Sequence, residues 1–473
     1  MINVTQSKSA GKVFNFFDEI SKIPRGSENT KKIADYLVSF AKARSLDFIR
    51  DEKDNVVIRK SATEGYESRS GIIIQGHTDM VIQKAAGVTF DMEKEGVRLI
   101  VDGDYITADG TTLGADDGIA VAYALAILDS DDIPHPELEA VFTSDEEIGL
   151  IGATALDCKK IKGRMMINID SDVEGVFTAG CAGGRRADIT LKASATTASG
   201  DKYTLMIDGL KGGHSGVEIN KGRTNAVKRL GEYLAAIPDI RLISLSGGVA
   251  DNAIPPSAIA EFISSRTTSE LSEIVNDVKK QLPPCAEHEN ITLVKAGDAC
   301  SALTSESSKN LISLICELPS GVIAMSEDIK GQVETSLNLG IANLSDGVMT
   351  LSFSLRSAKG AEKEKLSERV KEIAKKHGAS ISEHGDYPAW EYRKDSPLRD
   401  TMCRVYKEMY GKDAEVITIH AGLECGIFSD KIEGLDCISM GPDAHDIHTP
   451  DERLSISSTV RVWEYLLEVL KNI

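Results

Sequence analysis

Gly71-Ile72-Ile73-Ile74-Gln75-Gly76-His77-Thr78-Asp79 is the stretch on which the fold turns. Its three successive isoleucines leave no polar face, and a strand without a polar face must be covered on both sides. Such strands belong to parallel sheets sandwiched between helices. Residues 138–143 and 165–169 have the same character. Between them, 118–128 (GIAVAYALAIL) is an alanine-rich helical segment.

Upstream, Val13, Phe14, Phe17 and Ile20 recur at helical spacing until Pro24-Arg25-Gly26 interrupts them. Ser27 is placed to cap a second helix, whose Ile33, Leu37, Phe40 and Ala41 form one apolar stripe. The alternation of strand and helix to about residue 180 predicts an α/β layer with helices on both faces. After Cys181-Ala182-Gly183-Gly184 the texture changes. Strands are expected at 203–207 and 348–355, helices at 225–236, 268–281 and 361–377, and a glycine-rich loop at 210–216. From 387 the first texture resumes, with strands at 416–419 and 437–440 and a helix at 460–470. The expected architecture is an α/β catalytic domain with a mostly parallel central sheet flanked by helices. Its two segments are 1–186 and 387–473, interrupted by an inserted α+β lid at 187–386.

Composition narrows the function. Hydrophobic residues make up 41% and charged residues 27%, the balance of a soluble globular protein with a substantial core. A net charge of −19, from 73 acidic and 54 basic residues, disfavours nucleic acid and anionic membranes as partners. Cysteines 158, 181, 285, 300, 316, 403, 425 and 437 contain no Cys-x-x-Cys pair, which argues against a thiolate zinc site and a disulfide framework. A reducing, cytoplasmic location fits that spacing. No signal peptide is expected from the first twenty residues, and no apolar run reaches the roughly eighteen needed to span a bilayer.

The polar residues that follow the apolar runs carry the chemistry, because open α/β sheets bind ligands beyond the carboxyl ends of their strands. In QGHTDM (75–80), His77 and Asp79 project to one side if extended, so His77 can bind a metal while Asp79 orients or polarises it. In TLGADDG (112–118), Asp116 sits at a glycine-rich turn before a helix and can offer one oxygen to each of two cations. TSDEEIG (143–149) holds adjacent glutamates, of which Glu147 is assigned as ligand and Glu146 as general base. INIDSD (167–172) ends an apolar strand at Asp170, and DAHDIHTPDE (443–452) holds two of the chain's nine histidines. Singly, each motif is also what a turn, a helix cap or a solvated loop would show. Together, His77, Asp116, Glu147, Asp170 and His448 supply the nitrogen and oxygen donors that zinc accepts, with cobalt or manganese as alternatives. One bridging carboxylate and two terminal ligands each would hold two divalent ions about 3.5–4 Å apart.

Seven stretches bear a resemblance over nearly the whole chain: GTTLGADDGIA, GCAGG, GLKGGHSGVEI, NAIP, VETSLNLG, IHAGLECGIF and IHTPDE. They resemble the co-catalytic di-zinc exopeptidase and deacylase superfamily, and within it the aminoacyl-histidine (Xaa-His, carnosinase-like) dipeptidase family. That resemblance implies the same five metal ligands with Asp116 bridging, Asp79 and Glu146 as catalytic carboxylates, and a non-proline cis peptide after Asp116. It makes the insertion a lid and implies a homodimer. His214, Asn252, Arg356 and Gly422 would then meet the substrate at its scissile carbonyl and free carboxylate, for which the fork of Arg356 is suited. The implied reaction is hydrolysis of dipeptides, including β-Ala-His, by a metal-activated water. The alternatives are an amidohydrolase acting on N-acyl amino acids and a non-enzymatic binding protein. Two features depart from the family pattern: Asp117 replaces an asparagine, and DAHDIH offers His445 beside His448.

Overall fold

The computed structural model describes residues 9–283 and 288–473, so Cys285 lies outside the described residues. The chain divides into two compact units. The first comprises Met1–Cys181, Tyr392–Thr418 and Leu423–Ile473, and the second Ala182–Glu391 and Ile419–Gly422.

The first unit is built on an eight-stranded sheet, ordered Asp47–Arg50, Val56–Lys60, Leu138–Thr143, Ile72–His77, Met165–Asn168, Asp436–Ser439, Val176–Cys181, Glu415–Ile419. The middle four strands are parallel. Antiparallel pairs extend them, at Val56–Lys60 on one side and Val176–Cys181 on the other. Every residue of Ile72–His77 and Leu138–Thr143 is buried, as strands covered on both faces must be. Helix Ala115–Leu128 packs on Ile72–His77 and on helix Gly11–Ser21. It is apolar on all sides and buried almost throughout, the pattern of a helix enclosed by its neighbours. Tyr123 on it stacks on Trp463 of helix Ile456–Asn472, with ring centroids 5.9 Å apart.

Ser27 does not cap helix Lys31–Ala43. That helix begins after Thr30 without a side-chain cap, and the Ser27 hydroxyl donates instead to Asp79 Oδ2 at 2.8 Å. Cys158, Cys181, Cys316, Cys403, Cys425 and Cys437 are free thiols. Among the described residues no helix is long and apolar enough to cross a membrane.

The second unit carries a nine-stranded sheet with its own core, in which Leu205, Leu230, Phe262, Leu311, Leu339 and Phe353 are buried. Its described pairings are antiparallel, including Val348–Ser357 against both Val333–Ser345 and Gly183–Lys192. Helix Thr268–Gln281 starts where it does because Thr267 and Glu270 form a reciprocal capping box. The unit boundaries differ from the expected 186/187 and 386/387. Gly183–Lys192 is one unbroken strand of this sheet, and Tyr387 still pairs with Gly184. The excursion Ile419–Gly422 was not foreseen.

Candidate active site

Three polar motifs of the first unit, at His77, Glu146–Glu147 and Asp170, lie at the carboxyl ends of parallel strands, while Asp116 stands at the start of helix Ala115–Leu128 and His448 lies in a turn after Ala444–His445. His77 closes Ile72–His77, and its Nε2 lies 3.0 Å from Asp116 Oδ1 and 3.9 Å from Asp170 Oδ1. His448 Nε2 lies 3.1 Å from Asp116 Oδ2 and 3.1 Å from Glu147 Oε1. The two oxygens of Asp116 thus face two different imidazoles. Three overlapping groups, His77/Asp116/Asp170, Asp116/Glu147/His448 and His77/Glu146/Glu147, each bring ligand atoms within 4.8 Å of one another. His448, not His445, enters this cluster; the His445 ring lies 6.0 Å from that of Tyr105. Asp79 stands behind the cluster, fully buried. Its Oδ1 is 3.4 Å from His77 Nδ1 and accepts from Glu146 N–H at 3.0 Å, while Oδ2 accepts from Glu147 N–H at 3.3 Å. Asp79 therefore steadies the imidazole, whose Nδ1 also lies 3.2 Å from the Asp79 carbonyl oxygen, and its carboxylate fixes the backbone of both glutamates.

The Asp116 turn is fixed from two sides. Glu452 is buried, and its carboxylate accepts the consecutive N–H groups of Leu113, Gly114, Ala115 and Asp116 at 2.8–3.3 Å. From the other side the buried guanidinium of Arg25 donates to the carbonyls of Thr78 (2.9 Å), Asp79 (3.2 Å) and Gly114 (2.5 Å). Gly114 has φ 72° and no room for a Cβ, which would meet Arg25 Nη2 at 2.6 Å. Gly76 is glycine because Ala120 and Asp117 of the covering helix crowd it. The Asp116-Asp117 peptide is cis, and regular helix begins beyond Asp117. Asp117 turns inward and accepts from His77 N–H at 3.1 Å. Arg25 and Glu452 were missed in the sequence, although PRG and IHTPDE contain them.

Crowded carboxyls under low exposure shape the electrostatics. Burial pushes the Glu146 carboxyl well above its ordinary range, with the charges of Asp170, Glu424 and Glu147 adding to it and His77 opposing. Burial likewise raises Asp170 and Asp117. Burial opposes protonation of His77, but hydrogen bonds to Asp116 and Asp79 prevail and raise its pKa. Asp116 and Glu147 raise His448 to about 10. This excess of carboxylates fits divalent cations, and the donor set of imidazole and carboxylate without thiolate matches zinc, cobalt or manganese.

The second unit brings His214, Arg356 and Gly422 together. Arg356 is 9% exposed, its Nη1 donates to Tyr387 Oη at 2.8 Å, and among the described residues it makes no ion pair. Gly422 packs on the Tyr387 ring, where a Cβ would come within 2.8 Å of it. His214 Nδ1 accepts from Gly216 N–H at 3.2 Å and Val217 N–H at 3.3 Å, which leaves the ring proton on Nε2. Burial and the neighbouring Arg356 lower the His214 pKa. His420 pairs with Ser336 Oγ at 2.7 Å, and burial together with Arg356 lowers its pKa to about 3. The Asn252 carbonyl accepts from Ser215 N–H at 2.8 Å, beside the short pairing of His214 with Ala253. Tyr387 and His420 had carried no expected role.

Comparison with known proteins agrees with this geometry. The model of peptidase family M20/M25/M40 matches residues 73–472. The cytosol non-specific dipeptidase of Escherichia coli (strain K12) is 35% identical over 471 residues, covering 98% of this chain and 97% of that protein. The crystal structure of aminoacylhistidine dipeptidase from Vibrio alginolyticus matches at a TM-score of 0.92 and 33% identity, over 99% of this chain and 98% of that one. Aminopeptidase PepT from Bacillus cereus shares the fold, with a TM-score of 0.65 at 15% identity over 98% of each chain. With a family match over residues 73–472 and a relative 35% identical across nearly the full length of both chains, the chain belongs to peptidase family M20/M25/M40.

Proposed function

We propose that the chain is a dipeptidase that works with two divalent metal ions, zinc by its donor set. His77, Asp116 and Asp170 would hold one ion, and Asp116, Glu147 and His448 the other. The observation that carries this reading is Asp116, whose two oxygens face separate imidazoles at 3.0 and 3.1 Å. When bound, such ions polarise a carbonyl and lower the pKa of water.

The chain's own residues do the rest. Glu146 takes a proton from the attacking water and passes it to the leaving amine. Asp79 holds His77 by its Nδ1 side and fixes the Glu146–Glu147 backbone. On the second unit, His214, Asn252, Arg356 and Gly422 are the residues we assign to substrate recognition, Arg356 by pairing with the free carboxylate. Free thiols and likeness to a protein named as cytosolic support a cytoplasmic location. Likeness to a structure named aminoacylhistidine dipeptidase supports Xaa-His substrates.

The test is hydrolysis of β-Ala-His, Gly-His, other dipeptides and N-acetyl amino acids by chelated and zinc-reloaded protein. Zinc-dependent cleavage of dipeptides is expected. Faster turnover of N-acetyl amino acids would make the chain a deacylase, and no turnover of either would make it a binding protein.

A further inference from the structure

Glu424 is a carboxyl that this reaction leaves unused. It opens helix Glu424–Lys431 and is 0% exposed. Its Oε2 accepts from Gln75 Nε2 and from Thr143 Oγ1, each at 2.6 Å. Its Oε1 is buried without a hydrogen-bond partner, and among the described residues Glu424 makes no ion pair. A buried carboxylate is normally matched by a cation. Two neutral donors and the first turn of a helix offset only part of its desolvation. Burial accordingly lifts the carboxyl to about 7, although His77, Thr143 and Gln75 all act to lower it.

Its neighbours tie it to the candidate ligands. Gln75 lies two residues before His77, and Thr143 three before Glu146. Gln75 Oε1 accepts from Asn168 Nδ2 at 2.7 Å, and Asn168 lies two residues before Asp170. Gln75 and Asn168 are register partners on adjacent parallel strands, and Leu138–Thr143 is the next strand over. A buried polar row therefore crosses three strands one step inside the candidate ligands, and Glu424 is the ionisable group bonded into it.

We propose that Glu424 is the anchoring anion of the metal centre: a positioning residue that pins the strand ends delivering His77 and Glu146–Glu147, with its charge balanced by bound divalent cations. This rests on the metal-binding reading above. It has a signed consequence. Without metal, the buried charge is a burden on the fold, whereas with metal it contributes to binding. The isosteric change Glu424→Gln removes the charge but keeps an acceptor oxygen. It should leave the metal-free protein at least as stable as wild type, and weaken metal binding by about 10- to 100-fold, the usual effect of losing a group behind the ligands.

Full-length wild type and E424Q, both stripped by chelation, are titrated with Zn²⁺ in competition with a chromophoric chelator, and Tm is recorded with and without Zn²⁺. The expected result is an unchanged or higher metal-free Tm for E424Q, a smaller zinc-induced rise, and weaker zinc binding. Glu424→Asp, which keeps the charge, is expected to retain most of that rise. A metal-free E424Q that unfolds more readily, or that fails to fold, with Glu424→Asp losing the zinc-induced rise, would reduce Glu424 to a structural anchor and overturn the proposal. So would zinc affinity equal to wild type. Wild type that binds no zinc would instead overturn the metal reading itself.

Discussion

Replacing Arg356 by alanine should separate substrates by their carboxyl terminus. The guanidinium is 9% exposed, is steadied by Tyr387 Oη at 2.8 Å, and has no acidic partner among the described residues. An incoming carboxylate would therefore complete a buried, charge-assisted pair. Such bonds contribute about 1.5–3 kcal/mol, and burial favours the upper half of that range. At about 1.4 kcal/mol per tenfold, kcat/KM for a free dipeptide should fall by about 10- to 150-fold. The same peptide amidated at its carboxyl end lacks the charge and should lose far less. Measuring both peptides with both proteins yields a double difference in which general damage to the unit cancels. Arg356→Lys, with charge but no fork, should lie between the two. Equal losses on free and amidated peptides would show that Arg356 does not read a carboxylate.

Glu146→Ala should keep both metals yet lose about 10²- to 10⁴-fold in turnover; metal analysis showing a depleted variant would mean that the roles of Glu146 and Glu147 are exchanged. Chelation of the wild-type protein should lower Tm and abolish turnover, with zinc restoring both; full activity at well under one metal per chain would refute the metal centre. Gly114→Ala should destabilise by more than about 1 kcal/mol in denaturant unfolding, since φ is positive and Arg25 occupies the Cβ site. His420 has a folded pKa of about 3 against an ordinary 6.5, so the unfolded chain binds its proton first. Its contribution to stability is intact above pH 6.5 and declines as pH falls towards 3, at up to about 1.4 kcal/mol per unit. His420→Asn should flatten that acid limb of a Tm–pH curve, and an unchanged limb would refute the assignment.

Much of the first unit was legible because its strands are covered on both faces, which leaves unbroken apolar runs such as Ile72-Ile73-Ile74 and marks the turns after them. Three of the candidate ligands, His77, Glu147 and Asp170, lie at or just after the ends of such runs, whereas Asp116 stands at the start of helix Ala115–Leu128 and His448 lies in a turn after Ala444–His445. Arg25 and Glu452 were illegible because their partners are backbone groups far along the chain: Glu452 bonds N–H groups more than 330 residues away. Ser27 looked like a helix cap locally, but the buried Asp79 carboxylate claims its hydroxyl. In the second unit, Val333–Ser345 mixes Asn, Ser and Gly with its apolar residues, and it is a strand because neighbours on either side pair with it.

The four-residue excursion Ile419–Gly422 bears on how the molecule is made. The polypeptide crosses between units at 181/182, 391/392, 418/419 and 422/423. A fragment of residues 182–391 would lack the histidine bonded to Ser336 and the glycine seated on the Tyr387 ring. The second unit's core lies wholly within 187–381, so what the fragment loses is not core but the support of Ser336 and Tyr387. Domains usually fold as units, the N-terminal one first. Here the second unit's core is complete before the first unit's, so a chain ending before residue 419 should have that core but be loosened around Ser336 and Tyr387.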